Sequence, residues 1–152
     1  MDRFTNSRSL FTTILKLYKH SLEKSDIEKI WSVIRRLDPI VLESALQMYL
    51  STSESEWFSW DSLKNAIKKS MRTKYPSGYE QFGVVSKQLI RCGLNGRQSI
   101  DLITDKVIDQ IGGWAYLFNS TNLGMDRANF IKAYDQLVED KITEEMMSLW
   151  VM

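Results

Sequence analysis

Side chains able to carry chemistry are sparse in this chain. His20 is its one histidine and Cys92 its one cysteine. A cysteine nucleophile needs a base to generate its thiolate, and His20 is the one imidazole that could serve, but nothing in the spacing brings the two together. Each has a plainer reading. His20 falls near the end of a first helix, where its charged form favours the helix dipole, and Cys92 is a small, buried residue just ahead of a stop at Gly93. Asp101, Asp105 and Asp109 recur every four residues. That spacing lines three carboxylates along one helical face, which can hold Mg²⁺ but is more often a solvated acidic face, and no phosphate-binding element accompanies it. The G-x-x-x-x-G-K-[ST], G-x-S-x-G and H-E-x-x-H patterns are all absent from the sequence. The expectation is a protein without catalytic residues, metal or cofactor.

Binding chemistry is better represented. Lys64, Lys68 and Arg72 follow one another at four-residue intervals, Lys69 and Lys74 stand beside them, and no acidic residue lies between Leu63 and Tyr75. A basic ridge of this kind can neutralise nucleic-acid phosphates with release of counterions, dock on an acidic protein surface, or form the solvated side of an amphipathic helix. Farther along, Asp135, Glu139, Asp140, Glu144 and Glu145 surround Lys141 and precede Met146, Met147, Leu149, Trp150, Val151 and Met152. An acidic segment tipped with Met and Trp either packs back on its own fold or binds a partner as an amphipathic helix.

The elements that must position these side chains read as helices. Leu10, Ile14, Leu17 and Tyr18 mark a first helix ending near Leu22. Ile27, Ile30, Trp31, Ile34 and Leu37 give a second, opened by a capping box of Ser25 and Glu28. Asp38-Pro39 starts a third, with Leu42, Ala45, Leu46, Tyr49 and Leu50 on its apolar stripe. After the polar stretch 51–56, Trp57-Phe58 leads to a cap at Ser59 and a fourth helix through Trp60, Leu63, Ile67 and Met71, which carries the basic ridge. Tyr75 to Gly78 is a break, and Phe82, Val85 and Leu89 form a fifth helix that Gly93 stops. The stretch 94–100 is a turn with room for a short hairpin at most. Thr104 caps a short helix with Val107, Ile108 and Ile111, and Gly112-Gly113 separates it from Trp114 to Phe118. Phe130, Ala133, Tyr134, Leu137 and Val138 form a last clear stripe, followed by a final turn at 143–150. The fold class is therefore all-α: a compact bundle of about seven to nine short helices.

With 152 residues the chain has room for one ordinary domain, divided at most into two packed halves, 1–75 and 76–152. Its 43% hydrophobic and 26% charged residues exclude disordered and fibrous classes. The net charge of +1 gives no global field toward nucleic acid or membrane. It is a cancellation: 1–75 holds 13 basic and 9 acidic side chains, +4, while 76–152 holds 7 and 10, −3. One cysteine, no signal-peptide pattern and no run near the ~20 apolar residues of a membrane span point to a cytoplasmic protein without a membrane partner. Asn119-Ser120-Thr121 matches a glycosylation acceptor, which has no meaning without export.

Asp38-Pro39 through Val41, Ala45, Leu46 and Tyr49 to Phe58-Ser59 resembles the N-terminal helical unit of phage helicase-loader and replicative-helicase-inhibitor proteins. The second half, with Gly93, Ile111-Gly112-Gly113-Trp114 and the Phe130, Tyr134 pair, is similar to phage proteins that carry a GGW element with a downstream F-x-x-x-Y. Together the two resemblances touch most of residues 10–138; the proline that the loader family carries after the aromatic is missing at Phe58-Ser59. The resemblance implies a phage-encoded adaptor that binds a replicative helicase in the host cytoplasm without chemistry of its own. The alternative is a small phage inhibitor that binds a host defence or nucleic-acid-handling complex. In either case Lys64, Lys68, Lys69, Arg72 and Lys74 are the expected contact residues, for protein or for nucleic acid. The GGW itself reads as structural: a sharp turn with Trp114 in the core.

Overall fold

Short-range capping chemistry sets where most of the helices begin. The computed structural model describes residue 9, residues 11–16, residue 18, residues 22–52 and residues 58–150, and among these there are eight helices and no strand. The protein is all-α. Leu10, Leu17, His20, Trp57, the segment 53–56, Val151 and Met152 lie outside the described residues. No helix among the described residues is long and apolar enough to cross a membrane.

Helix α1 covers residues 11–16, and α2 (Lys24–Arg36) starts two residues earlier than the Ser25 box requires. Glu23 is the N-cap, and its backbone N–H donates to the Asp26 carboxylate at 3.3 Å, so two acids take the places expected for Ser25 and Glu28. Helix α3 (Pro39–Thr52) opens as the sequence indicates, with Asp38 Oδ1 accepting from the Ile40 N–H at 2.8 Å. That N–H, and with it the Lys74 ammonium 3.4 Å away, holds the Asp38 carboxyl below its usual value. Helix α4 (Trp60–Arg72) is capped by Ser59, whose hydroxyl accepts from the Ser62 N–H at 3.2 Å.

Packing divides the chain into two units, residues 1–74 with 144–152, and residues 75–143. In the first, α3 lies against α4, burying Val41, Leu42, Ala45, Leu46 and Tyr49 against Leu63, Ala66, Ile67 and Met71. Tyr49 is completely buried, and its hydroxyl accepts from the Ser59 N–H at 3.2 Å, tying the core of α3 to the cap of α4. A run of ring contacts links Tyr18, Tyr49, Phe58, Trp60 and Trp150. Trp31, which the periodicity puts on the buried stripe, is 37% exposed and lies beside Phe11 at 5.5 Å.

The second unit holds α5 (Gly78–Cys92), α6 (Leu102–Gln110), α7 (Trp114–Phe118) and the first three-quarters of α8 (Leu123–Trp150). Ser77 caps α5, accepting from the Glu80 N–H at 3.1 Å. Gly78 lets α5 approach α8: an added Cβ would sit 3.0 Å from Ile131 backbone, and the Gly78 N–H donates to Asp135. Asp101, not Thr104, caps α6, because its carboxylate reaches the Thr104 N–H at 2.8 Å while Thr104 turns inward. The 94–100 stretch contains no strand. Gly112 and Gly113 take φ of 132° and 96°, the left-handed side that permits the expected sharp turn into α7. Trp114 is buried, and its Nε1 donates to the Gly93 carbonyl at 3.0 Å. Phe82, Phe130 and Tyr134 make the aromatic centre of this unit.

Two sequence expectations need correction at the C-terminal end. The stripe from Phe130 and the turn at 143–150 are one 28-residue helix, since no glycine or proline interrupts 125–150. Residues 144–152, expected in an acidic second half, belong with the first unit. The first unit then carries 13 basic and 11 acidic side chains, +2, and the second 7 and 8, −1.

Candidate partner-binding groove

Helix α4 presents opposite faces because its buried residues, Leu63, Ala66, Ile67, Ser70 and Met71, repeat at three and four positions. With those turned onto α3, Trp60, Lys64, Lys68 and Arg72 form a stripe that winds slowly along the other side. Lys68 and Lys69 are exposed, and Lys64 and Arg72 are half-buried. The ridge is not a row of equivalent cations. Lys74 pairs with Asp38, and the Lys64 ammonium lies 4.6 Å from the centroid of the Trp150 ring.

The Trp150 contact draws a second helix and the tail into the site. Trp60 meets Trp150 edge-on at 5.2 Å, Leu149 is buried, and Arg36 Nη1 on α2 donates to the Leu149 carbonyl at 3.4 Å. Unpaired carbonyls at a helix C-terminus carry partial negative charge, so Arg36 and Lys64 complement the end of α8. Beside these groups is an open cavity of about 580 Å³ lined by Lys29, Val33, Trp60, Lys64, Leu149 and Trp150. Its walls are mostly apolar, and two ammonium groups belong to its lining. The Trp150 Nε1 is buried without an acceptor, a state that costs about 1–3 kcal/mol in a protein interior.

Of the five residues predicted for this role, the structure brings only Lys64 to the cavity; Lys68, Lys69 and Arg72 lie along the helix leading from it, and Lys74 is held by Asp38. Sequence reasoning missed Lys29, Arg36 and Trp60, whereas Trp150 stands in the acidic tail named there as a packing or partner-binding segment. The uninterrupted helical register 134, 138, 142, 149 makes the buried Leu149 legible, whereas Lys29 has no local signal connecting it to Lys64. No protein-family model, curated protein or solved structure matches the chain.

The other chemical candidates are occupied structurally. Asp105 accepts from the Ser99 hydroxyl at 2.6 Å and the Ile100 N–H at 3.2 Å, Asp109 pairs with Arg97 at 2.7 Å, and Asp101 caps α6. The acidic row thus pins the 94–100 loop to α6. Among the described residues no group of three or more His, Cys, Asp or Glu side chains is arranged for a metal ion. Cys92 is half-buried rather than buried, with its thiol against Gln88 Oε1 at 3.2 Å. Buried Asp126 accepts from Ser120, and its bond to the Tyr116 hydroxyl raises that phenol above its usual value.

Proposed function

We propose that this chain is a non-catalytic adaptor that engages an acidic protein surface through the groove of its first unit and the basic stripe along α4. The observation that supports the reading is the 580 Å³ cavity, which sets Val33, Trp60, Leu149 and Trp150 beside Lys29 and Lys64. An apolar anchor with neighbouring carboxylates matches that combination: burial supplies affinity, and the ammonium groups supply orientation and encounter rate. A single-stranded nucleic acid is favoured less, because it needs open ring faces for its bases. Here Lys64 covers a face of Trp150, and Trp60 meets that ring edge-on.

The likeness of 38–59 to phage helicase loaders makes a replicative helicase the first partner to test. Mixing the chain with a purified helicase hexamer should give a co-eluting complex in size-exclusion chromatography. Changing Lys64 and Lys68 together to Glu should abolish it. Unshifted elution of both proteins removes the helicase assignment. Binding to single-stranded DNA, steeply salt-dependent and lost in the same variant, would replace the protein-docking reading with a nucleic-acid one.

A further inference from the structure

We infer that the α2–α4 groove is a receptor for an acidic helical segment tipped by bulky apolar residues, and that residues 144–150 of the chain are its resident, displaceable occupant. The inference rests on the adaptor reading above and names the chemistry of the partner.

The tail itself displays what the groove recognises. From Glu144 to Trp150 the chain offers two carboxylates, no cation and two large apolar residues at the tip. Leu149 is buried, the Trp150 ring receives Lys64, and the Leu149 carbonyl receives Arg36. Three cations from α2 and α4, Lys29, Arg36 and Lys64, surround its tip, where Arg36 meets a backbone carbonyl and Lys64 an aromatic ring, so the groove's charge suits an occupant whose carboxylates reach them.

The occupant fits incompletely. The cavity of about 580 Å³ beside Trp150 is an open cleft that the tail borders without filling. The buried indole N–H finds no acceptor, and the Arg36 bond is long at 3.4 Å. A segment of the same chemistry that fills the void and leaves no donor orphaned holds the groove more tightly than the tail does. The tail then sets a threshold, excluding weak acidic segments and yielding to a better one.

The probe is a fluorescein-labelled peptide of residues 139–150, measured by anisotropy against the full chain and its variants. It should bind the Trp150→Ala chain at least tenfold more tightly than the unaltered chain, since the resident tail competes fully only in the latter. Adding Lys64→Glu to Trp150→Ala should remove the binding. A peptide with Lys in place of both Glu144 and Glu145 should bind at least tenfold more weakly. Equal affinity for the two chains, indifference to Lys64→Glu, or equal binding of the Lys peptide overturns the inference.

Hydrogen exchange on the unaltered chain is independent of whether Trp150→Ala folds. Excess unlabelled peptide should accelerate exchange of the 146–150 amides, and unchanged rates overturn displacement. Helicase co-elution without any peptide effect refutes displacement alone. Peptide displacement without co-elution refutes the helicase assignment alone.

Discussion

The polar knot between α5 and α6 separates two contributions that are usually lost together. Asp101 Oδ1 accepts from the Thr104 N–H at 2.8 Å, while Oδ2 accepts from the Thr104 hydroxyl at 2.8 Å and from Gln81 Nε2 at 2.9 Å. Gln81 also donates to Thr104 Oγ1 at 2.8 Å, and Thr104 is fully buried. Asp101→Ala removes the cap, worth about 1 kcal/mol, and leaves a buried hydroxyl without an acceptor, worth ~1–3 kcal/mol. The expected loss is about 3 kcal/mol from these two terms. Asp101→Asn keeps a capping oxygen but points an NH₂ at two donors, so it should cost about 1–2 kcal/mol. The readout is hydrogen exchange of the α5 and α6 amides, because a global melting midpoint does not isolate the second of two units. The order Ala, then Asn, then unaltered chain is required. Asn within ~0.3 kcal/mol of the unaltered chain would refute the knot, and Ala equal to Asn would refute the cap. Gln81→Leu combined with Asp101→Asn should fall short of additivity by at least ~0.5 kcal/mol, because the two side chains share a hydrogen bond.

Three further outcomes follow from single positions. Gly83 lies within α5 with nothing within 4 Å of an added Cβ, so Gly83→Ala should stabilise the second unit by about 0.5–1 kcal/mol in the same exchange measurement; a loss contradicts the open geometry. The Asp38 carboxyl should titrate by NMR below 3.8, and Lys74→Ala should raise the midpoint only partway because the Ile40 N–H is the larger cause. Since folding lowers that value, the stability it adds is present above pH 3.8 and lost as pH falls through the lower folded value. The Tyr116 phenol should titrate above 10.0 in the ultraviolet and return toward it in Asp126→Asn; its raised value adds stability below that pH, lost as pH climbs through the folded midpoint.

What the sequence reveals of this fold depends on how local each signal is. Ser59, Ser77, Asp38-Pro39, Gly93 and Gly112-Gly113 act within one turn of themselves, and each boundary is where those residues put it. The starts of α2 and α6 shift because two capping candidates compete within a turn. Glu23 prevails over Ser25, and Asp101 over Thr104, in the latter case because a threonine at that place is more useful buried. The continuity of α8 is disguised by the charged residues Glu139, Asp140, Lys141, Glu144 and Glu145, although nothing there breaks a helix. The groove is the least legible feature. It brings Lys29, Lys64 and Trp150 together from three helices, and no spacing rule connects them. The basic ridge is readable as a pattern, but its division into a ring-bound Lys64 and a paired Lys74 is a tertiary fact.

The discontinuity of the first unit imposes an order on its birth. Val33, Trp60 and Lys64 leave the ribosome long before Leu149 and Trp150, which share their cavity. At translation rates of roughly 5–20 residues per second, the interval is on the order of several seconds. The second unit, contiguous over 75–143, can be complete within that interval, so the part of the chain made first is the part finished last. Until residues 149 and 150 arrive, the nascent first unit exposes the cationic, aromatic surface that the finished fold keeps partly covered.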